Sequence, residues 1–246
     1  MIEIPTADGS AEAYVAQSPG GARPGVILFM DAFGLRPQIE GLADRIASWG
    51  YTVLVPNLFF RSGRVADLVP TVDLKAPMER EKLFAQLGPR MQPLTAEVMD
   101  ADSAAYLDAL RRLDTVSPGG VGVSGYCMGA RWATRIAGTQ PADVAAVGGF
   151  HGGRLVTDAP DSPHLLLASA RAEFVYGHAD RDASMPPEAV QALGEALAAN
   201  GLRATNEVYP GAGHGYTMAD TSAYDEAGAE RHYQELRALL ERTLVR

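Results

Sequence analysis

"VGVSGYCMGARWA", residues 121–133, is the stretch whose reading decides the fold. It starts as an apolar run, turns on Gly125, and resumes at helical spacing, so it reads as a strand, a tight turn and a helix. The chain's single cysteine, Cys127, stands in that turn between Gly125 and Gly129. This is the pattern G-x-nucleophile-x-G in the strand-to-helix context it requires. Glycines without a Cβ let strand and helix close around a sharp, strained bend. The side chain at the tip then emerges at the strand's carboxyl end, beside the positive end of the next helix, which favours a thiolate and an oxyanion. A cysteine used only as packing has no need of glycines on both sides.

Outward from the turn, short apolar runs alternate with segments of helical period. "PGVILFMD" (24–31), "YTVLVPN" (51–57), "VAAVGGFHGG" (144–153), "AEFVYG" (172–177) and "RATNEVYPG" (203–211) read as strands. Helices are expected over "QIEGLADRIASWG", 95–113, "MGARWATRIAG", "PPEAVQALGEALAANG" and the final "AYDEAGAERHYQELRALLERTL". Such alternation predicts one α/β domain over residues 1–246, with a mainly parallel central sheet and helices on both faces. Ligands of such sheets bind at the carboxyl ends of the strands. Residues 59–93 break the rhythm and carry Arg61, Arg64, Arg80, Lys82 and Arg90. They read either as a cap over the site or as a solvated excursion with one short helix.

Composition limits the function classes. A formal net charge of −9 argues against nucleic acid or an anionic membrane as partner, because both demand a basic face. One cysteine excludes an internal disulfide framework and fits a cytoplasmic protein. No signal-peptide pattern opens the chain, no apolar run spans a bilayer, and no H-E-x-x-H or comparable metal spacing occurs among the five histidines. A cofactor-free monomer acting on a small molecule is the expectation.

A nucleophile of this kind needs a base, and the base an orienting acid, in the chain order nucleophile, acid, histidine. "VYGHADRD" places Asp180 just past a strand, with Asp182 competing for the acid role; Asp180 is preferred. "YPGAGHGY" places His214 in a glycine-rich loop past the last strand. The oxyanion hole would take the N–H of Met128, and a second from the turn "FMDAFG" (29–34), at Ala32 or Phe33. Arg80, Tyr126, His151, Arg154 and Tyr216 are the candidates for contact with substrate.

The motifs "GYCMGAR", "GHAD", "GAGHGY" and "MDAFG" together resemble the dienelactone hydrolases, a cysteine-using branch of the α/β-hydrolases. The resemblance implies the α/β-hydrolase fold and a Cys-His-Asp triad that opens lactones or cleaves esters through an acyl-thioester. It also implies a carboxylate in the "FG" loop that holds the resting thiol and moves away when substrate arrives. Here that residue is Asp31, one methylene shorter than the family's glutamate. The family's substrate-binding arginine shortly after the histidine is replaced by Met218. Two other readings of the same site are a thioesterase or general carboxylesterase, and a catalytically idle α/β-hydrolase-like binding module.

Overall fold

The computed structural model describes residues 1–245 and contains an eight-stranded sheet. Its strands are β1 (Ile2–Thr6), β2 (Gly9–Gln17), β3 (Gly25–Phe29), β4 (Thr52–Pro56), β5 (Val121–Tyr126), β6 (Val144–Phe150), β7 (Glu173–Ala179) and β8 (Ala204–Tyr209), in the spatial order β1-β2-β4-β3-β5-β6-β7-β8. From β4 to β8 every pairing is parallel. Every residue of β3, β4 and β5 is buried, which is why these segments read as unbroken apolar runs: helices cover both faces. The fold is that of the α/β-hydrolases.

The antiparallel hairpin β1–β2 is not announced by hydrophobic runs. Its inward positions are mostly small, with Ala11 and Ala13 fully buried, so the alternation that marks a half-buried strand is too weak to stand out.

The helices are α1 (Pro37–Ala47), α2 (Val65–Leu68), α3 (Pro77–Ala85), α4 (Gly88–Met91), α5 (Ala96–Arg111), α6 (Gly129–Thr139), α7 (Pro187–Ala199) and α8 (Glu226–Leu244). Thr95 caps α5 by accepting the Val98 N–H, and Asp225 caps α8 by accepting the Gly228 N–H. Residues 59–93 hold three short helices, α2 to α4, rather than one. They form a small apolar cluster of their own, in which Leu74 and Leu87 pack with Ala32 and Phe33.

Parallel strands in adjacent positions place all their carboxyl ends along one edge. The segments that leave β3, β5, β6, β7 and β8 therefore carry Ala32, Cys127, His151, Asp182 and His214 to a common rim. Among the described residues no helix is long and apolar enough to cross a membrane.

Candidate active site

Cys127 has a φ of +54°, a left-handed conformation uncommon for a residue with a side chain. The bend is enforced by its neighbours. A Cβ on Gly125 would lie 2.1 Å from the Gly129 carbonyl oxygen, and one on Gly129 would lie 2.4 Å from that of Phe29. Only glycine at these two positions lets β5, α6 and the end of β3 meet, so the same contact that makes the elbow brings the Ala32 turn beside the sulfur.

The Cys127 Sγ lies 3.0 Å from His214 Nε2, and His214 Nδ1 lies 2.6 Å from Asp182 Oδ2. Asp182 also accepts the Ser184 N–H at 2.8 Å and the Ser184 hydroxyl at 2.7 Å. Burial opposes its charge, but the hydrogen bonds from His214 and Ser184 outweigh that and hold the carboxyl below its ordinary value. Burial likewise opposes a charge on His214, yet its bonds to Asp182 and Cys127 push it up to about 10. Both contacts favour a proton on the imidazole.

Asp180, the acid preferred from sequence, does not reach the histidine. Its carboxylate accepts the Gly211 N–H at 3.0 Å, and its own N–H donates to the Ala212 carbonyl at 2.7 Å. It pins the base of the His214 loop. The residue that contacts the imidazole is Asp182, separated from Asp180 by Arg181, whose φ is +54°.

Asp31 is also placed differently from expectation. It does not hold the thiol; its oxygens bind the Arg36 guanidinium at 2.7 and 3.0 Å, and it accepts the Phe33 N–H at 2.9 Å. Arg36 is only 3% exposed and bridges onward to Asp220 at 2.6 Å. Burial works against its charge, but Asp31 and Asp220 keep it protonated more firmly than usual. Sequence reasoning missed Arg36, whose Nη2 lies 3.7 Å from the Met218 sulfur. Arg36 comes from the N-cap of α1 and is engaged by carboxylates on both sides. The Phe33 N–H is taken up by Asp31, while Ala32 borders the spaces that meet at Cys127.

Of the substrate-contact candidates, Tyr126 and Tyr216 are fully buried and satisfied away from the site. Tyr126 is bonded to His232 Nε2 at 3.1 Å, and Tyr216 donates to the Gly177 carbonyl at 3.0 Å. Neither lines the recess or the cleft described below that meet at Cys127. His151 is fully buried, its Nε2 lies 2.7 Å from the Thr217 hydroxyl, and its ring meets that of His214 edge-on at 5.3 Å. Burial first, and then the charge of His214, push it well below its ordinary value, so it is neutral.

Two spaces meet at the sulfur. A narrow recess runs past Cys127, His214 and His151 to Arg80, Phe33 and Thr221. A wider cleft of about 560 Å³ runs past Cys127, Met128 and His214 to Arg131, Arg154, Met91 and Ser184. Ala32 and Phe84 border both.

The pattern in residues 11–244 matches the model of the dienelactone hydrolase family. The chain belongs to that family. It is 28% identical over 245 residues to a Salmonella typhi protein named "putative carboxymethylenebutenolidase", covering 96% of this chain and 84% of the relative. It is also 28% identical over 218 residues to the carboxymethylenebutenolidase of Rhodococcus opacus, covering 88% of this chain and 79% of that one. A "putative dienelactone hydrolase" from Klebsiella pneumoniae has a similar fold, with a TM-score of 0.82 at 23% identity over 96% of this chain and 95% of the other. This dienelactone hydrolase-like hydrolase combines the cysteine elbow with an Asp31–Arg36–Asp220 bridge centred on a buried arginine, and with Met218 four residues after the histidine.

Proposed function

We propose that the protein hydrolyses small carboxylic esters or lactones through a Cys127–His214–Asp182 triad and an acyl-thioester. The reading is carried by one observation: Sγ lies 3.0 Å from an imidazole whose other nitrogen is 2.6 Å from a buried carboxylate, at the mouth of a cleft. Asp182 fixes the tautomer and stabilises the imidazolium. The sulfur adds to the substrate carbonyl, forming the C–S bond, while the N–H groups of Met128 and Ala32 receive the oxyanion. Collapse breaks the C–O bond, and the His214 Nε2 proton goes to the departing oxygen. In a lactone that oxygen remains tethered to the acyl group. His214, now neutral, then takes a proton from water as it attacks the thioester, and the sulfur leaves as a thiolate paired with imidazolium.

Thiolate is a better leaving group than alkoxide, so activated esters and enol lactones suit this site better than amides. Arg80, at the end of the narrow recess, is a candidate partner for a substrate carboxylate. The test is mass spectrometry of the Cys127 peptide after rapid quenching with p-nitrophenyl acetate, alongside turnover of a dienelactone and an acyl-CoA. The expected outcome is one acetyl group on Cys127, faster turnover of the lactone than of the acyl-CoA, and no turnover in Cys127→Ala. An acyl-CoA preferred over the lactone would favour a thioesterase. An unacylated thiol in a protein inert to all three would favour a binding module.

A further inference from the structure

Most arginines of this chain are matched by carboxylates: Arg36, Arg61 and Arg135 each make paired contacts with at least one aspartate. Arg131 and Arg154 are not. Both line the wide cleft beside Cys127, Met128 and His214, and neither forms an ion pair among the described residues. The Nε of Arg131 is buried with no hydrogen-bond partner. The one carboxylate lining this cleft, Asp182, is engaged by His214 and Ser184.

Their placement works against stability. Arg131 sits in the first turn of α6, where the helix dipole disfavours a cation. Burial lowers its pKa, and the like charges of Arg154 and Arg135 lower it further; Asp161 opposes them, while Arg135 is itself bound to Asp100. Arg154 follows β6 with a φ of +56°. An anion entering the cleft would meet a half-buried cation with an unpartnered Nε and a second, exposed cation beside it, and would offset the repulsion between them.

We propose that Arg131 and Arg154 form an anion subsite in the wide cleft, so that the ester or lactone cleaved at Cys127 carries a carboxylate or phosphate on the part lying in that cleft. The site is separate from Arg80, which ends the narrow recess. The ester portion of this inference rests on the hydrolase reading; the anion binding does not.

Alkylation of Cys127 tests it without turnover. The ratio of iodoacetate to iodoacetamide rates is expected to fall about tenfold or more in Arg131→Gln/Arg154→Gln, and to hold in Arg171→Gln, which removes one positive charge from an exposed residue elsewhere. Inorganic phosphate and succinate are expected to slow iodoacetamide in wild type, the stronger protector naming the anion. Turnover of 4-nitrophenyl hemisuccinate should fall relative to the acetate by a similar factor in the double variant. Arg154→Gln alone, at an exposed side chain, keeps the test open if Arg131→Gln fails to fold, and Arg131→Lys should restore part of the ratio. A ratio lost only in Arg80→Gln, or no protection by either anion, overturns the subsite. A protein inert to every ester but showing the expected alkylation ratios would defeat the hydrolase reading and leave the subsite standing.

Discussion

Arg181 has a φ of +54°, and that torsion separates the roles of the aspartates on either side of it. Asp180 still follows the line of β7 and hydrogen-bonds the backbone of the His214 loop, whereas Asp182 faces the imidazole. Replacing Asp182 by Asn should therefore lower kcat by about 10²–10⁴ through loss of the correct tautomer and of imidazolium stabilisation. Asp180→Asn, which keeps an oxygen for the Gly211 N–H, should leave kcat near wild type; steady-state kinetics on one activated ester compares the two. The sequence could bring both aspartates to the right turn, but choosing between them needs a backbone torsion that no local pattern at Arg181 declares. Arg36 was hidden for a related reason. It stands at the N-cap of α1, where its neighbour Pro37 marks a helix start, and its partners lie 5 and 184 residues away. Because Arg36 is 3% and Asp31 5% exposed, Arg36→Met strands a buried carboxylate and should cost about 3–5 kcal/mol in urea unfolding. Asp31→Asn on that background should recover part of the loss.

Among the elements, the strands that read most clearly are β3 to β7, whose residues are nearly all buried and mostly apolar. The chemistry-bearing loops were legible through their position after these strands. The segment between β4 and α5 was not, because its three helices are short and α3 buries none of its residues. Phe84 on α3 nevertheless reaches over the site, 50% exposed, with its ring 6.2 Å from that of Phe33. So lightly packed a helix should open well before α5 and α6, which are built into the core, and hydrogen exchange should show its amides exchanging ahead of theirs. Phe84→Ala should raise KM for bulky esters while changing unfolding stability by less than about 0.5 kcal/mol. An equal loss of stability would place α3 in the core instead.

At the scale of the whole molecule, the parallel sheet gathers an acid, a base and a sulfur from three strand ends, and this leaves a signature in its pH stability. His151 and His232 are fully buried and kept neutral, His232 falling to about 3 as burial outweighs its other contacts. Below pH 6.5 the unfolded chain binds protons at these positions that the folded protein refuses, so stability rises with pH up to about 6.5. His214 does the opposite. Its folded value of about 10 lies above the ordinary 6.5, so its contribution is complete below 6.5 and is lost as pH climbs toward 10. Tyr51 and Tyr233, raised by burial to about 12, add to the loss only above their unfolded value near 10. Between pH 6.5 and 9.5 the decline therefore reports the imidazolium that faces Cys127. Melting temperatures across pH 5–9.5 should trace a maximum near neutrality in wild type. In Asp182→Asn, which removes the carboxylate that holds the proton on His214, the alkaline limb should flatten while the acid limb keeps its slope. An alkaline limb unchanged in that variant would mean the proton is held elsewhere and that no imidazolium stands beside the sulfur.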